Sequence, residues 1–496
     1  MDEARTAVLI GCGETIDRPA SLDAAKEPLA LMAEAARHAG ADCGAALLDA
    51  VDSLDVVNIA SWRYADIAGS VAEELAIRPA RAVYGEVGGE SPVRLVHEAA
   101  LRIARGESRV ALICGAEAQH SAARARRQGI DLPWTPFAKD GPKVPSGSDI
   151  VHPLAAAYGA SQPIQVYPFY DMATAAHWGQ TPAEALAESG RIWAGYARIA
   201  ADNPFSWTRT APDAQAIVTP ADDNRLVAWP YTKRMVANPM VNQGAAVLVS
   251  SLAAAREAGV PESRIVHVTG GAAANDTRDF MQRDQFVRSH AQDVVLERMQ
   301  ALAPGGYDAV ELYSCFPCVP KMTRRTLGLA EDAALTVTGG LSFFGAPLSN
   351  YMLHAVCAMM RRLRAGGGTG VLYGQGEFIT KHHALALAAE PPQAPLAEDY
   401  VLTAEVDARR GAVPAVVAPA AGPATVESAT IVYRHDGAVD HGIVLLRDAR
   451  GDRTVAAVAA DDAASLAVLA SADRSPVGHA GEIVKGTGEW MLWRAR

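Results

Sequence analysis

The stretch TGGLSFFGAPLSN, Thr338 to Asn350, sets Gly-Gly-Leu three residues ahead of a Gly-X-Pro, and the apolar segment YMLHAVCAMM follows it. A small-residue turn in front of an apolar helix presents its X side chain to whatever lies before the helix. Here X is Ala346, and alanine transfers no protons.

The same stretch opens a unit that occurs twice. FGAPLSNYMLHAVCAMMRRLRAGGGTGVLYGQGE (Phe344 to Glu377) aligns with GGESPVRLVHEAALRIARGESRVALICGAE (Gly88 to Glu117). Each copy has a small-residue turn, a proline expected in the first helical turn, and a histidine deeper in the helix (His97, His354). Each then has Gly-rich punctuation and a strand ending in Gly-X-Gly/Ala-Glu. A helix–strand unit met twice points to two halves of one duplicated fold. The segments TAVLIGCGE, SLDVVNIAS and ESRVALICGAE read as buried strands, and EPLALMAEAARHAG reads as a helix between them, so the class is layered α/β.

The rest of the chain divides by texture. The first half spans 1–250 and carries an irregular insertion at about 118–235, rich in Pro, Trp and Tyr, of the kind that covers a substrate. Its clearest helix starts after Thr181, which has Pro182 at the first helical position and Glu184 at the capping-box position. The second half spans 251–390, and a Pro/Ala-rich linker covers 391–400. The remaining 401–496, with short strands joined by Asp-Gly and Gly-Asp turns, reads as a small antiparallel β-barrel.

Composition excludes several classes. The 496 residues carry a net charge of −11 and no long basic run, which argues against a nucleic-acid surface. No uncharged apolar segment approaches membrane-spanning length. Six scattered cysteines give no disulfide framework, and MDEARTAVLIGCGET opens with acids rather than a signal sequence, so a reducing cytoplasm is expected. Cys315-Phe-Pro-Cys318 lacks a second pair or clustered histidines for a metal, and no metal site is expected.

Taken together, WTRTAPDAQAIVTPADDNRLVAWPYTKRMVANPMVNQGAAVLVSS, DAVELYSCFPCVP, TGGLSFFGAP and GVLYGQGE resemble the thiolase superfamily. The pattern is similar to sterol-carrier-protein-type thiolases and type-1 thiolase-like proteins, acetyl-CoA acetyltransferase homologues with an extra C-terminal barrel. The resemblance implies a thiolase fold with an OB-like barrel, a coenzyme A thioester as substrate or ligand, and no covalently bound cofactor. It also implies a nucleophilic Cys at a helix N-terminus, a His in Gly-His-Pro, a Cys in Cys-X-Gly and an oxyanion-positioning His or Asn. In this sequence those positions fall on Gly89, Ala346, Gly374 and Tyr313. All four groups are replaced, so ordinary thiolase activity is expected to be absent.

Three functions remain open at the level of sequence. One is an acyl-CoA-handling protein of the acyltransferase class without thiolase chemistry. Another is a C–C lyase in which Tyr313 acts as acid/base on a β-hydroxyacyl-CoA, with a nearby positive charge or hydrogen bond lowering its pKa. The last is a non-catalytic acyl-CoA scaffold. Thiolase-fold aldolases that work with an OB-fold protein also use a tyrosine near this position; the alternative for Tyr313 is a buried tyrosine satisfied by backbone. Lys233, Arg234 and Asn350 are candidate CoA contacts, as is the basic run Ala123–Arg127. His97 and His354 read as core histidines, and Lys381-His382-His383 as a surface feature at a strand end. Acyl-CoA is the expected partner, with a homo-oligomer or partner protein meeting the barrel.

Overall fold

In the computed structural model, which describes residues 2–496, the run TAVLIGCGE forms β1 (Ala7–Ile16), buried over all but its last residue. Its glycines serve packing. A methyl group on Gly11 would lie 2.2 Å from the carbonyl oxygen of Ala39, and one on Gly13 2.0 Å from that of Ala35, both in the helix Pro28–Cys43. The Gly-X-Gly of IGCGET is thus where a helix backbone touches a strand.

The first half continues with β2 (Ser53–Val56), β3 (Arg81–Tyr84) and β4 (Val110–Ala118). The insertion holds β5 (Leu226–Ala228) and β6 (Tyr231–Thr232), and β7 (Asn242–Ser251) closes the half. The second half contributes β8 (Val266–Asn275), β9 (Ala309–Leu312), β10 (Thr369–Gly376) and β11 (Lys381–Ala388). All nine strands outside the insertion join one sheet in the order β3-β2-β4-β7-β1-β8-β11-β10-β9. Read outward from the β1–β8 seam, the order is the same in both directions, except that the second half has no equivalent of β3. Parallel pairing of β4 with β2 is matched by that of β10 with β9. The seam itself is only two residue pairs, Val8 with His267 and Leu9 with Val266. The repeat seen in the sequence is therefore a structural duplication.

The repeated helices, Ser91–Arg105 and Tyr351–Gly366, pack against each other and bury most of their side chains. Because helices cover both sheet faces, β4 and β7 are buried at every position rather than alternating. Pro92 lies in the first turn of its helix, but Pro347 precedes a short 3₁₀ turn, and its α-helix begins only at Tyr351. The capping box at Thr181 is formed: its hydroxyl accepts from the Glu184 amide, and the Glu184 carboxylate accepts from the Thr181 amide at 2.8 Å.

Beyond the linker, β12 (Gly422–Tyr433), β13 (Val439–Asp448), β14 (Arg453–Val458), β15 (Ala480–Lys485) and β16 (Met491–Ala495) close a five-stranded barrel in the order β12-β13-β14-β16-β15. A purely antiparallel barrel is expected from the turns, but β14 and β16 meet in parallel at Ala457 and Leu492, because the helix Ala463–Leu469 carries the chain across. Alternate residues of β13 face different partners. Val444 and Leu446 fill the barrel, whereas Ile443 and Leu445 join the cluster that holds Phe169, Phe280 and Phe286 of the main body. Fully buried Arg453 ties the two together: its guanidinium donates to both Glu427 carboxylate oxygens and to the carbonyls of Met281 and Arg283.

Replacing Arg453 strands two carbonyls in the interface and leaves the Glu427 carboxylate with Arg447 as its remaining partner. Arg453→Leu is expected to lower unfolding free energy by about 3–5 kcal/mol, the scale for breaking a buried pair on one side. Arg450→Ala, at an 85 % exposed side chain, should stay within about 0.5 kcal/mol. Urea unfolding of the two variants checks this; equal, small effects would show that the contact contributes nothing.

Candidate functional site

A cavity of about 600 Å³ opens beside the ends of β9 and β10. Its wall includes Gly89, Tyr313 and Ala346, three of the four positions picked out by the sequence. The fourth, Gly374, lies just behind the wall, where a methyl would come within 2.9 Å of the Glu90 Cα.

Each position is held by its element. Gly89 lies one residue ahead of Glu90, the N-cap of the helix Ser91–Arg105, where unpaired amides gather. Tyr313 follows β9, and its amide donates to the Tyr373 carbonyl on β10. Ala346 is pinned by its amide donating to the Asn238 carbonyl at 2.9 Å. The loop before it is ordered by Glu311, a fully buried carboxylate on β9. Glu311 accepts from the Thr336 hydroxyl, the amides of Val337 and Thr338, and the Tyr351 hydroxyl at 2.6 Å.

The decisive contact is between Tyr313 and Gly89. A methyl on residue 89 would stand 2.2 Å from the Tyr313 hydroxyl oxygen and 2.5 Å from the Gln375 carbonyl oxygen. The phenol occupies the space that any side chain at residue 89 needs. Burial, with Cys315 and Glu90 nearby, pushes the Tyr313 pKa well above the usual phenol range. This reverses the expectation that a cation would lower it: the hydroxyl keeps its proton and acts as a donor.

Cys315 also lines the cavity and accepts from the Gln375 amide at 3.1 Å. Burial pushes its pKa up to about 12, so it is a thiol and no ready nucleophile. Cys318 is buried outside the cavity wall, and all six cysteines are unbridged.

Several candidates lie elsewhere. Arg234 pairs with Asp223 and donates to the Ala216 carbonyl, and neither it nor Lys233 lines the cavity. Asn350 is fully buried and donates to the Gly115 carbonyl at 2.8 Å, away from the cavity wall. Arg126 and Arg127 sit exposed on the helix Gln119–Gln128. His354 pairs with Glu14, and His97 faces His383 at 3.0 Å, both deep in the core. The Lys381–His383 reading is corrected: His382 and His383 are buried within β11, because both faces of that strand are covered. His382 meets the Tyr373 hydroxyl at 2.7 Å.

Three polar groups at the cavity escaped the sequence reading. Arg278 lines it, half-exposed and bidentate to Glu377. Gln375, inside Gly-X-Gly, lines it too. Glu90 follows Gly89 and lies under the wall: a methyl on Gly88 or Gly376 would come within 2.3 and 2.1 Å of its carboxylate. Burial pushes the Glu90 pKa up to about 7. A charge directly behind a pair of glycines was the available signal.

Comparison with solved structures decides the family of folds. Over 100% of both chains, the protein superposes on a monomeric SCP2-thiolase like protein type 1 from Mycobacterium smegmatis with TM-score 0.84 and 27% identity. This chain has the thiolase fold. Residues 402–488 match the thiolase-like protein type 1 additional C-terminal domain. The Ltp2-ChsH2(DUF35) aldolase shares the fold at 18% identity and TM-score 0.58, over 77% of this chain and 97% of that one. An acetyl-CoA acetyltransferase from Syntrophomonas wolfei does so at 15% identity and TM-score 0.54, over 78% and 100%. Among curated proteins none matches the sequence. No helix of this thiolase-like chain, among the described residues, is long and apolar enough to cross a membrane.

Two outcomes follow from the geometry of the floor. Gly89→Ala should destabilise the protein, and the share of that cost due to the phenol, though not the share due to the Gln375 carbonyl, should vanish when Tyr313 is also alanine; a double-mutant cycle with no coupling would show that the two do not compete. For Glu90, the folded state holds its proton up to about pH 7, against an ordinary value of 4.5. The stability it contributes at low pH is therefore lost as pH rises between those values. The melting temperature of Glu90→Gln relative to the parent should climb across that window and level off above it. A difference independent of pH would reject the assignment.

Proposed function

We propose that this chain binds coenzyme A thioesters in the cavity and acts on them, or presents them, without thiolase chemistry. The observation that carries this reading is the Tyr313 hydroxyl standing where a residue-89 side chain would be. With alanine at residue 346, no imidazole stands there to activate a nucleophile, and the Cys315 thiol holds its proton. The cavity is lined mainly by apolar side chains and is of a size that takes a bulky acyl group. The thiolase fold is the ground for reading the ligand as a CoA thioester, and the cation at the wall, Arg278, is already paired with Glu377.

A second reading is a C–C lyase, favoured by the state of Tyr313. A protonated phenol facing a mostly apolar cavity suits stabilisation of the enolate that forms when a β-hydroxyacyl thioester splits. The hydroxyl then serves as a hydrogen-bond donor to the enolate oxygen rather than as a base, while the β-hydroxyl proton is transferred, net, to the α-carbon as the C–C bond breaks. The barrel also fits: its strand order, with a helix between the third and fourth strands, supports an OB-like module. Through Ser428, whose hydroxyl donates to the Phe169 carbonyl at 2.7 Å, β12 braces the helix Pro163–His177, and Ile164 and Tyr167 of that helix line the cavity. We read the barrel as a built-in partner that shapes the site, and as the surface for any further protein.

Incubation with acetoacetyl-CoA and CoA should give no thiolysis above background and no acyl-enzyme on a cysteine, while equilibrium titration detects bound acyl-CoA. An acylated cysteine overturns the reading. If β-hydroxyacyl-CoAs are cleaved to a carbonyl product, Tyr313→Phe should slow the cleavage by a factor on the order of 10²–10⁴. Binding without release of any carbonyl product leaves the scaffold role.

A further inference from the structure

Gln375 stands in the cavity wall, only 1 % exposed, and its side-chain oxygen has no hydrogen-bond partner. Its orientation is fixed by a chain of bonds. The Tyr167 hydroxyl sits 2.6 Å from the Glu377 carbonyl, which can only accept, so Tyr167 spends its proton there. Tyr167 can then only accept from Gln375, at 2.7 Å, which makes that atom the amide nitrogen. The same nitrogen donates to the Cys315 sulfur at 3.1 Å. Turning the amide over would put its oxygen against a hydroxyl whose proton is already spent on Glu377, leaving only the weak Cys315 thiol to donate to it. The side-chain oxygen is therefore the end left free, and a buried acceptor without a donor carries a penalty of about 1–3 kcal/mol.

Tyr313 is the complement. Its hydroxyl keeps its proton, lines the same cavity, and makes no hydrogen bond among the described residues. The Glu90 carboxylate under the same floor also has one oxygen without a partner. The floor thus presents one free donor at a largely apolar cavity, with the unpartnered Gln375 oxygen buried in its wall and that of Glu90 beneath it. A plain acyl thioester has a carbonyl oxygen to meet the donor and nothing to meet the acceptor.

We propose that the Gln375 side-chain oxygen is a specificity determinant, accepting a hydrogen bond from a hydroxyl on the acyl chain while Tyr313 donates to the thioester carbonyl. The preferred ligand class is accordingly hydroxyacyl thioesters over their unsubstituted counterparts. This rests on the reading of the cavity as a CoA-thioester site. Tyr167 is a positioning residue: its role here is to fix the amide.

The test is isothermal titration with a matched pair, butyryl-CoA and 3-hydroxybutyryl-CoA. The parent should bind the hydroxylated ligand roughly tenfold more tightly, as one satisfied acceptor of about 1.4 kcal/mol requires. In Gln375→Leu the ratio should fall to about one. Should that variant not fold, Tyr167→Phe frees the amide to turn and should also reduce the ratio. Equal affinities in the parent, or a ratio that survives Gln375→Leu or, in its place, Tyr167→Phe, would overturn the proposal while leaving the CoA site standing. Failure of both ligands to bind would overturn the CoA reading and this proposal with it.

Discussion

A single van der Waals exclusion organises this site: the Tyr313 hydroxyl and a side chain at residue 89 cannot coexist. Everything around them is arranged on that premise. Gly89 permits the phenol to approach the start of the helix, Gly88 and Gly376 leave room for the Glu90 carboxylate beside it, and Glu311 holds the following loop so that Ala346 completes the wall. Residues 89, 346 and 374 carry neither thiol nor imidazole, and beside them stands a neutral donor in a desolvated setting. Such a donor is strongest where water is excluded.

The duplicated sheet explains why these pieces meet. Gly89 and Glu90 come from the first copy of the repeat, and Gln375 and Gly376 from the second. Each lies near one end of its helix–strand unit, so the packed helices Ser91–Arg105 and Tyr351–Gly366 bring the two copies to one floor. The two-residue seam between β1 and β8 does little of this work.

Much of this was legible before any coordinates. The repeat, the buried strands, the Thr181 cap and the Gly-Gly-Leu phrase all depend on local spacing, and local spacing survives in sequence. What was lost depends on three-dimensional neighbours. His382 and His383 look like a polar strand end, because nothing in KHH shows that helices cover both faces of β11. Lys233 and Arg234 look available for phosphate, because Asp223 and the Ala216 carbonyl are contacts made by folding. Glu90 and Glu311 draw no notice in the sequence, since burial of a carboxylate leaves no mark on its own neighbours in the chain. The direction of the Tyr313 shift was missed for the same reason.

The two-faced strands of the barrel bear on how the chain is made. Synthesis runs from the N-terminus, so every strand of the nine-stranded sheet has emerged by Ala388, while Ile443, Leu445, Val455 and Ala457 have yet to appear. Until then Phe286 lacks the Arg453 guanidinium that lies over its ring, and the body's core lacks the apolar side chains that β13 and β14 add to it. The nascent body passes through a stage in which its own sheet is available but one flank is sticky, a state that invites chaperones or unwanted association. A later-emerging segment then covers a flank of the earlier one.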